Sequence, residues 1–297
     1  METSFLTTFL LVVDTGSMAE AARRLDLTPA AVAQQIRALE RELDAILLAR
    51  AGRTVAPTAA GSRIIAQARG LLRDLADLKI VVNDDYATGE LRLGTINTAL
   101  HSLLPDILAR FVKTHSQVKV FIHSGTSTEL YEALRRGDLD AAVCTHPSFA
   151  MPKAFVWELL REEPLVVLAP QRFAQREPHD LLRSEPLIRY DRNLTGGEEA
   201  ERYLRREGIV PTERFELSSL AAIAMMVDRG LGVSLAPDIA STMTTGLRIA
   251  KLPLPGASEP RRFGMLWQRA SIRERLIRDL LESARNIVED GNSVAAY

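Results

Sequence analysis

Gln34 and Arg37 have the type and spacing to act on something outside the fold. They stand three residues apart behind Thr28, Pro29, Ala30 and Ala33, so one helical face carries small residues, one amide and one guanidinium. Such a face suits the major groove of a DNA duplex, where bulk would clash and Gln and Arg read adenine and guanine edges. Arg50 and Arg53 flank a hairpin-like turn at Gly52 and suit phosphate oxygens beside that groove. On spacing alone, a structural helical bundle fits the same alanine-rich face.

A second group consists of hydroxyls at expected strand-to-helix turns. Asn97 and Thr98 follow one strand; Thr126, Ser127 and Thr128 follow the next and open a helix. Thr195-Gly196-Gly197 opens another, with Arg192 three residues earlier. Free N–H groups and the positive end of the helix dipole favour a carboxylate there, and Arg192, if it faces the same cleft, offers a matching fork. Ordinary N-capping explains each hydroxyl taken singly. The lone Cys144 excludes an intramolecular disulfide framework, fits a reducing cytoplasm, and reads as a small core residue without a resolving thiol. There is no glycine-rich phosphate loop, no HExxH and no paired cysteine, and the five histidines are scattered. Neither a catalytic site, a metal nor a cofactor is therefore expected.

The elements that must position these residues are visible in the spacing. Ser17 and Glu20 form a capping box ahead of a helix that buries Ala21, Ala22 and Leu25. Asp26-Leu27 makes the turn, Thr28 caps the next helix and Pro29 takes its first position. Val32, Ile36, Leu39 and Leu43 then point inward, and a preceding helix with Phe5, Phe9 and Val12 completes a three-helix core. The first 58 residues hold six arginines against seven acids, but Glu40, Glu42 and Asp44 lie at the far end of the second helix. From 58 to about 82 a single helix spaces Ile64, Ala68, Leu71, Leu75, Leu78 and Val82 as an a/d stripe. The stripe predicts pairing of two chains; docking on its own domain is the alternative.

Beyond a polar break at 83–89, strands at 91–96, 118–123 and 140–144 alternate with helices at 103–112 and 130–136. This order predicts a parallel sheet with right-handed crossovers. A second set has strands at 165–169, 187–189 and 233–235 and one ending at Phe215, with helices at 198–207 and 220–229. A last strand at 263–267 and helix at 272–287 return to the first set. Crossings at 161–164 and 260–263 give two lobes on paired hinge strands, an arrangement that closes on a small ligand.

The N-terminal residues resemble the LysR-type transcriptional regulator family. The matching positions include Phe9, Gly16-Ser17, Ala21-Ala22, Leu25, Ala31-Val32, Gln35-Ile36, Leu39-Glu40, Leu43, Arg50, Arg53, Thr58 and Ala60-Gly61. The chain departs at Leu27-Thr28 and Ala33, which bear on base preference, and at Asp44 and Leu48, which bear on packing. GELRLGT, LLPDILARF, ALRRGDLDAAV and VDRGLGVSLAP stand where the family has comparable runs in its periplasmic-binding-protein-like effector domain. The resemblance implies an α/β chain with a winged helix–turn–helix head at 1–58, a linker and dimerisation helix at 59–89, and a two-lobed effector-binding domain at 90–297. Lobe 1 would span about 90–162 and 264–297, and lobe 2 about 163–263. It implies sequence-specific binding to a double-stranded DNA operator by Thr28, Pro29, Ala30, Ala33, Gln34, Arg37, Arg50 and Arg53. It also implies effector contacts at Thr98, Ser127 and Thr195, to which the turn spacing adds Thr128 and Arg192, and assembly as a homodimer or homotetramer.

With 297 residues, a net charge of −1 and 46% hydrophobic residues, the composition is that of a globular protein of two or three packed units. No stretch has the length of a membrane span and no basic leader precedes one, so a cytoplasmic regulator controlled by a small anionic metabolite is expected. Two alternatives stay open at this point: an enzyme on the same two-lobed scaffold, and a constitutive architectural DNA binder.

Overall fold

Helix boundaries near the N-terminus follow local chemistry. The computed structural model describes residues 2–52, 54–83, 89–239 and 243–294, and the chain divides into two compact units, Met1–Asp85 and Tyr86–Tyr297. In the first, α1 (Thr3–Thr15) stops at Gly16, whose φ of 64° is open to glycine without strain. α2 (Met18–Leu25) starts at Ser17, whose hydroxyl accepts from the Glu20 N–H. The expected reciprocal half of that capping box does not form. Glu20 instead takes Arg23 and Arg24, charge-assisted bonds that outcompete one backbone N–H. The Arg24 hydrogen bond and the Arg23 charge hold the Glu20 carboxyl below its ordinary range.

α3 (Pro29–Glu42) begins at Thr28, whose Oγ1 accepts from the Ala31 N–H at 3.1 Å. Val32, Ile36 and Leu39 join Phe9, Val12 and Ala21 in one core. Leu43 departs from the expected inward stripe: the helix has ended, and as its C-cap Leu43 turns outward, 40% exposed. Glu40 finds a structural use, accepting from the N–H groups of Leu47 at 2.8 Å and Leu48 at 3.3 Å. That fixes the start of an antiparallel wing, β1 (Leu48–Ala51) and β2 (Thr54–Pro57). Thr58 then caps α4 (Ala59–Asn83) through the Gly61 N–H. A Cβ at Gly61 would lie 2.1 Å from the Leu47 carbonyl oxygen, so only glycine lets α4 approach so closely. Ile64 and Ala68 pack into the head's own core, whereas Leu71, Leu75 and Leu78 stay exposed. The proposed stripe is thus divided between docking and an open face; the Val82 side chain lies outside the described residues.

In the second unit, β3 (Gly89–Thr95), β4 (Val118–Ser124), β5 (Ala141–Thr145), β6 (Phe155–Glu163) and β12 (Arg261–Gln268) form a sheet ordered β4-β3-β5-β12-β6. Only β3, β4 and β5 run parallel; β12 is antiparallel to both neighbours. The parallel arrangement expected of the three βαβαβ strands is found, and β6, which leaves the lobe, and β12, which returns to it, extend the sheet with antiparallel pairings. α5 (Asn97–Leu100), α6 (Leu104–Thr114), α7 (Ser127–Arg135) and α11 (Glu274–Val294) accompany this sheet, and Phe111, Trp267 and Ile277 meet in its core. The other lobe has an antiparallel sheet of β10 (Ser234–Pro237), β7 (Leu165–Pro170) and β11 (Ile249–Pro253). Parallel β8 (Leu187–Tyr190) and β9 (Glu213–Leu217) join it through a Leu187–Val233 bridge; β9 runs past Phe215, where the sequence placed its end. α8 (Pro178–Ser184), α9 (Thr195–Arg206) and α10 (Leu220–Asp228) cover these strands. Arg261 and Glu163 face each other in register where β12 and β6 cross between lobes. Among the described residues no helix is long and apolar enough to cross a membrane.

Candidate functional site

Two surfaces gather the residues singled out by sequence. On α3, Thr28, Pro29, Ala30, Gln34 and Arg37 are exposed and Ala33 is half-buried. Among the described residues neither Gln34 nor Arg37 has a side-chain hydrogen bond or ion pair, although Arg23, Arg24 and Arg69 are all paired. The platform beneath is fixed by the buried inner face of α3 and by a 2.5 Å bond from Thr8 Oγ1 to Gln35 Oε1. Arg50 is exposed on β1; Arg53 lies outside the described residues.

The second surface is a cleft of about 280 Å3 at the C-terminal ends of the parallel strands, the usual place for a ligand in an open α/β sheet. Thr98, Ser127, Thr128 and Thr195 all line it. Ser127 Oγ lies 2.7 Å from Thr145 Oγ1, which lies 3.2 Å from Thr195 Oγ1. The Thr145 N–H also donates to Ser127 Oγ. This hydroxyl ladder runs from α7 and β5 of one lobe to the first residue of α9 in the other. At its α7 end Thr126 and Glu129 make a complete capping box, and the Thr126 backbone bond holds the Glu129 carboxyl below its ordinary range. At the other end α9 has no side-chain cap. A Cβ on Gly197 would sit 2.0 Å from the Asp191 carbonyl oxygen, so this glycine lets α9 start tight against the end of β8.

Arg192 is not brought to the cleft. Its guanidinium pairs with Glu213 at 2.9 Å and Glu216 at 3.1 Å, two acids on β9 that its neighbouring position makes the nearer partners. The cation that does line the cleft is Arg261, 1% exposed, with Tyr190 beside it. Arg261 Nε donates to Glu163 Oε2 at 2.7 Å and Nη2 reaches the same oxygen. Burial works against the charged form of Arg261, but the charge and hydrogen bond of Glu163, joined by Tyr190 and Glu199, together outweigh it and its pKa is raised. Burial likewise raises the Tyr190 hydroxyl, with Arg261 opposing. Sequence reading missed Arg261, Glu163 and Thr145; the first two stand beside Pro260 and Pro164 in the crossings it had identified, which was the available signal. Cys144 is fully buried and burial pushes its thiol up to about 12, as befits a core residue. No group of three or more His, Cys, Asp or Glu side chains that could hold a metal ion occurs among the described residues.

A winged helix–turn–helix followed along the chain by a two-lobed α/β unit with a polar cleft defines a DNA-binding regulator with a ligand-binding domain. Comparison with known proteins agrees. The profile described as "Bacterial regulatory helix-turn-helix protein, lysR family" matches residues 4–62, and "LysR substrate binding domain" matches 84–288. The chain belongs to the LysR family: it is a LysR-type transcriptional regulator that binds DNA and carries an effector-binding domain. It is 29% identical to the HTH-type transcriptional regulator IlvR of Caulobacter vibrioides over 294 residues, covering 96% of this chain and 97% of that one. It is 29% identical to the regulator CzcR of Bacillus cereus over 241 residues, 81% of each chain. The fold is similar to that of full-length CbnR complexed with its target DNA, with a TM-score of 0.68 at 20% identity over 97% of this chain and all of that one. It is also similar to a full-length OxyR variant from Pseudomonas aeruginosa, with a TM-score of 0.69 at 23% identity over 96% and 95%. The curated relatives are named as transcriptional regulators, so the enzyme alternative finds no support among them.

Proposed function

We propose that residues 1–58 read an operator, residues 59–89 pair two chains, and residues 90–297 sense a small anionic metabolite. Thr28, Gln34 and Arg37 bear on base identity, with Pro29, Ala30 and Ala33 keeping the face low enough to enter the major groove. Arg50 and Arg53 supply phosphate contacts. The exposed Leu71, Leu75 and Leu78 are the seam of a homodimer, and a symmetric pair presents two heads to a two-fold operator, alone or within a tetramer.

The observation that carries the regulatory half is the Ser127–Thr145–Thr195 ladder. Its Thr145–Thr195 bond crosses between lobes, so a ligand that replaces it with its own changes the lobes' preferred closure. Thr98 and Thr128 complete the polar wall, and Arg192 acts from outside the cleft by holding β9. The test is a footprint on the chain's own upstream DNA, repeated with a panel of small carboxylates. Protection should shift or shorten with at least one of them. A footprint unchanged across the panel, with none of its members binding the protein, would refute control by an anion in this cleft.

A further inference from the structure

The hinge holds more positive charge than its buried partners neutralise. Arg261 and Arg161 both bond Glu163, the first to Oε2 and the second, with Nε at 2.8 Å, to Oε1. Two guanidiniums therefore share one carboxylate whose side chain is 2% exposed. Burying such a surplus is costly unless something else answers it. Nε and Nη2 of Arg261 are spent on Glu163, the neutral Tyr190 hydroxyl is its hydrogen-bond partner on the cleft side, and both residues line the cleft.

Glu199 feels the charge of Arg261. It sits on α9, which packs against β12, and lines a separate cavity of about 230 Å3 with Arg202, Tyr203, Arg206 and Glu259. Its Oε2 is buried without a hydrogen-bond partner. The charges facing it are Arg261 from β12, Arg202 and Glu198 from α9, and Glu259 from the segment entering β12. Burial raises its carboxyl to about 7, with Arg261 the foremost group holding it down.

Building on the proposed effector cleft, we propose that Arg261 determines the effector's class by taking one carboxylate in place of the neutral Tyr190 hydroxyl, and that Glu199 gains a proton when that carboxylate binds. The bound anion offsets the field of Arg261 at Glu199, so the buried carboxyl is better neutral. The proton comes from the buffer, and no covalent bond changes. By linkage, the effector binds more weakly as pH rises through 7. The charge balance selects small monocarboxylates, zwitterionic amino acids included, over their amides; the hinge has one surplus positive charge to offer, not two.

Isothermal titration of the full chain tests this, using two- to seven-carbon monocarboxylates and α-amino acids, each beside its carboxamide, in phosphate and in Tris at pH 7. At least one acid should bind about tenfold or more tightly than its amide, as expected when a charge-assisted bond is lost. The heats in the two buffers should reveal uptake approaching about half a proton per site, since a group titrating near 7 is half-ionised there. Glu199→Gln should bring the uptake close to zero. Arg261→Lys, which keeps the charge but not the planar fork, should cost about tenfold in affinity for the acid. Acid and amide binding alike, both weakened by Thr145→Val, would overturn the Arg261 assignment and leave the cleft as the ligand site. Proton uptake unchanged in Glu199→Gln would overturn the linkage. If neither acids nor amides bind, the cleft reading falls and takes this assignment with it.

Discussion

On α3, Gln34 and Arg37 stand exposed with no side-chain partner among the described residues, whereas in the cleft Thr145 already bonds both Ser127 and Thr195 and Arg261 is buried against Glu163. The first surface is a finished template on which the partner supplies every complement. The second is a set of bonds that a ligand must exchange. That difference determines what each can do. A preformed face discriminates among duplexes without moving; a cleft whose internal bonds compete with the ligand couples occupancy to lobe geometry.

The largest effect of a single substitution should come from the hinge. Glu163→Gln leaves two guanidiniums without their shared counterion and should destabilise the effector unit by about 3–5 kcal/mol, read by denaturant unfolding. Replacing Glu163 and Arg261 together by methionine should recover much of that loss. If the single and double variants were equally unstable, packing rather than charge would be what the pair provides.

The DNA-facing surface should respond to smaller changes in a different observable. Gln34→Ala should narrow discrimination at one operator position by about 1–3 kcal/mol in competition binding, with thermal stability unaltered. Thr28→Ala should cost about 1 kcal/mol of stability through the lost Ala31 cap. Thr145→Val removes both rungs of the ladder, and should cost about 1–2 kcal/mol in stability while altering the ligand response.

Titration sharpens the contrast further. The Glu199 carboxyl is raised to about 7 in the fold from an ordinary value of 4.5. Its stabilising contribution is therefore fully present below pH 4.5 and is lost as pH rises through about 7. Unfolding midpoints of Glu199→Gln should be flatter with pH than those of wild type across that window. An identical pH profile would show that Glu199 is not held neutral by burial.

The two surfaces also differed in how openly the sequence displayed them. Thr28, Pro29, Gln34 and Arg37 lie within ten residues, and one helical period and one capping rule place them all. The cleft is assembled from the ends of β3, β4 and β5, the start of α9 and a hinge strand, so its hydroxyls were visible only as turn residues. Thr145 was hidden because a strand-terminal threonine has no distinctive local pattern. Arg261 and Glu163 met only through the register of β12 on β6, which depends on contacts nearly a hundred positions apart. Arg192 misled for the same reason: its sequence neighbour α9 lines the cleft, but the acids on β9 that claim it come from 21 and 24 residues away. Leu43 and Glu20 show a smaller version, where a helix end and a nearby guanidinium overrode spacing.

The most direct measurement compares affinity for an operator duplex and a scrambled duplex across a range of salt, for wild type, Gln34→Ala and Arg50→Ala. Gln34→Ala should reduce the operator-to-scrambled ratio while leaving the salt slope alone. Arg50→Ala should reduce the slope by about one unit while leaving the ratio alone. A wild-type protein with no preference for any operator, or a Gln34→Ala variant whose ratio matches wild type, would contradict the assignment of α3 as the reader of bases.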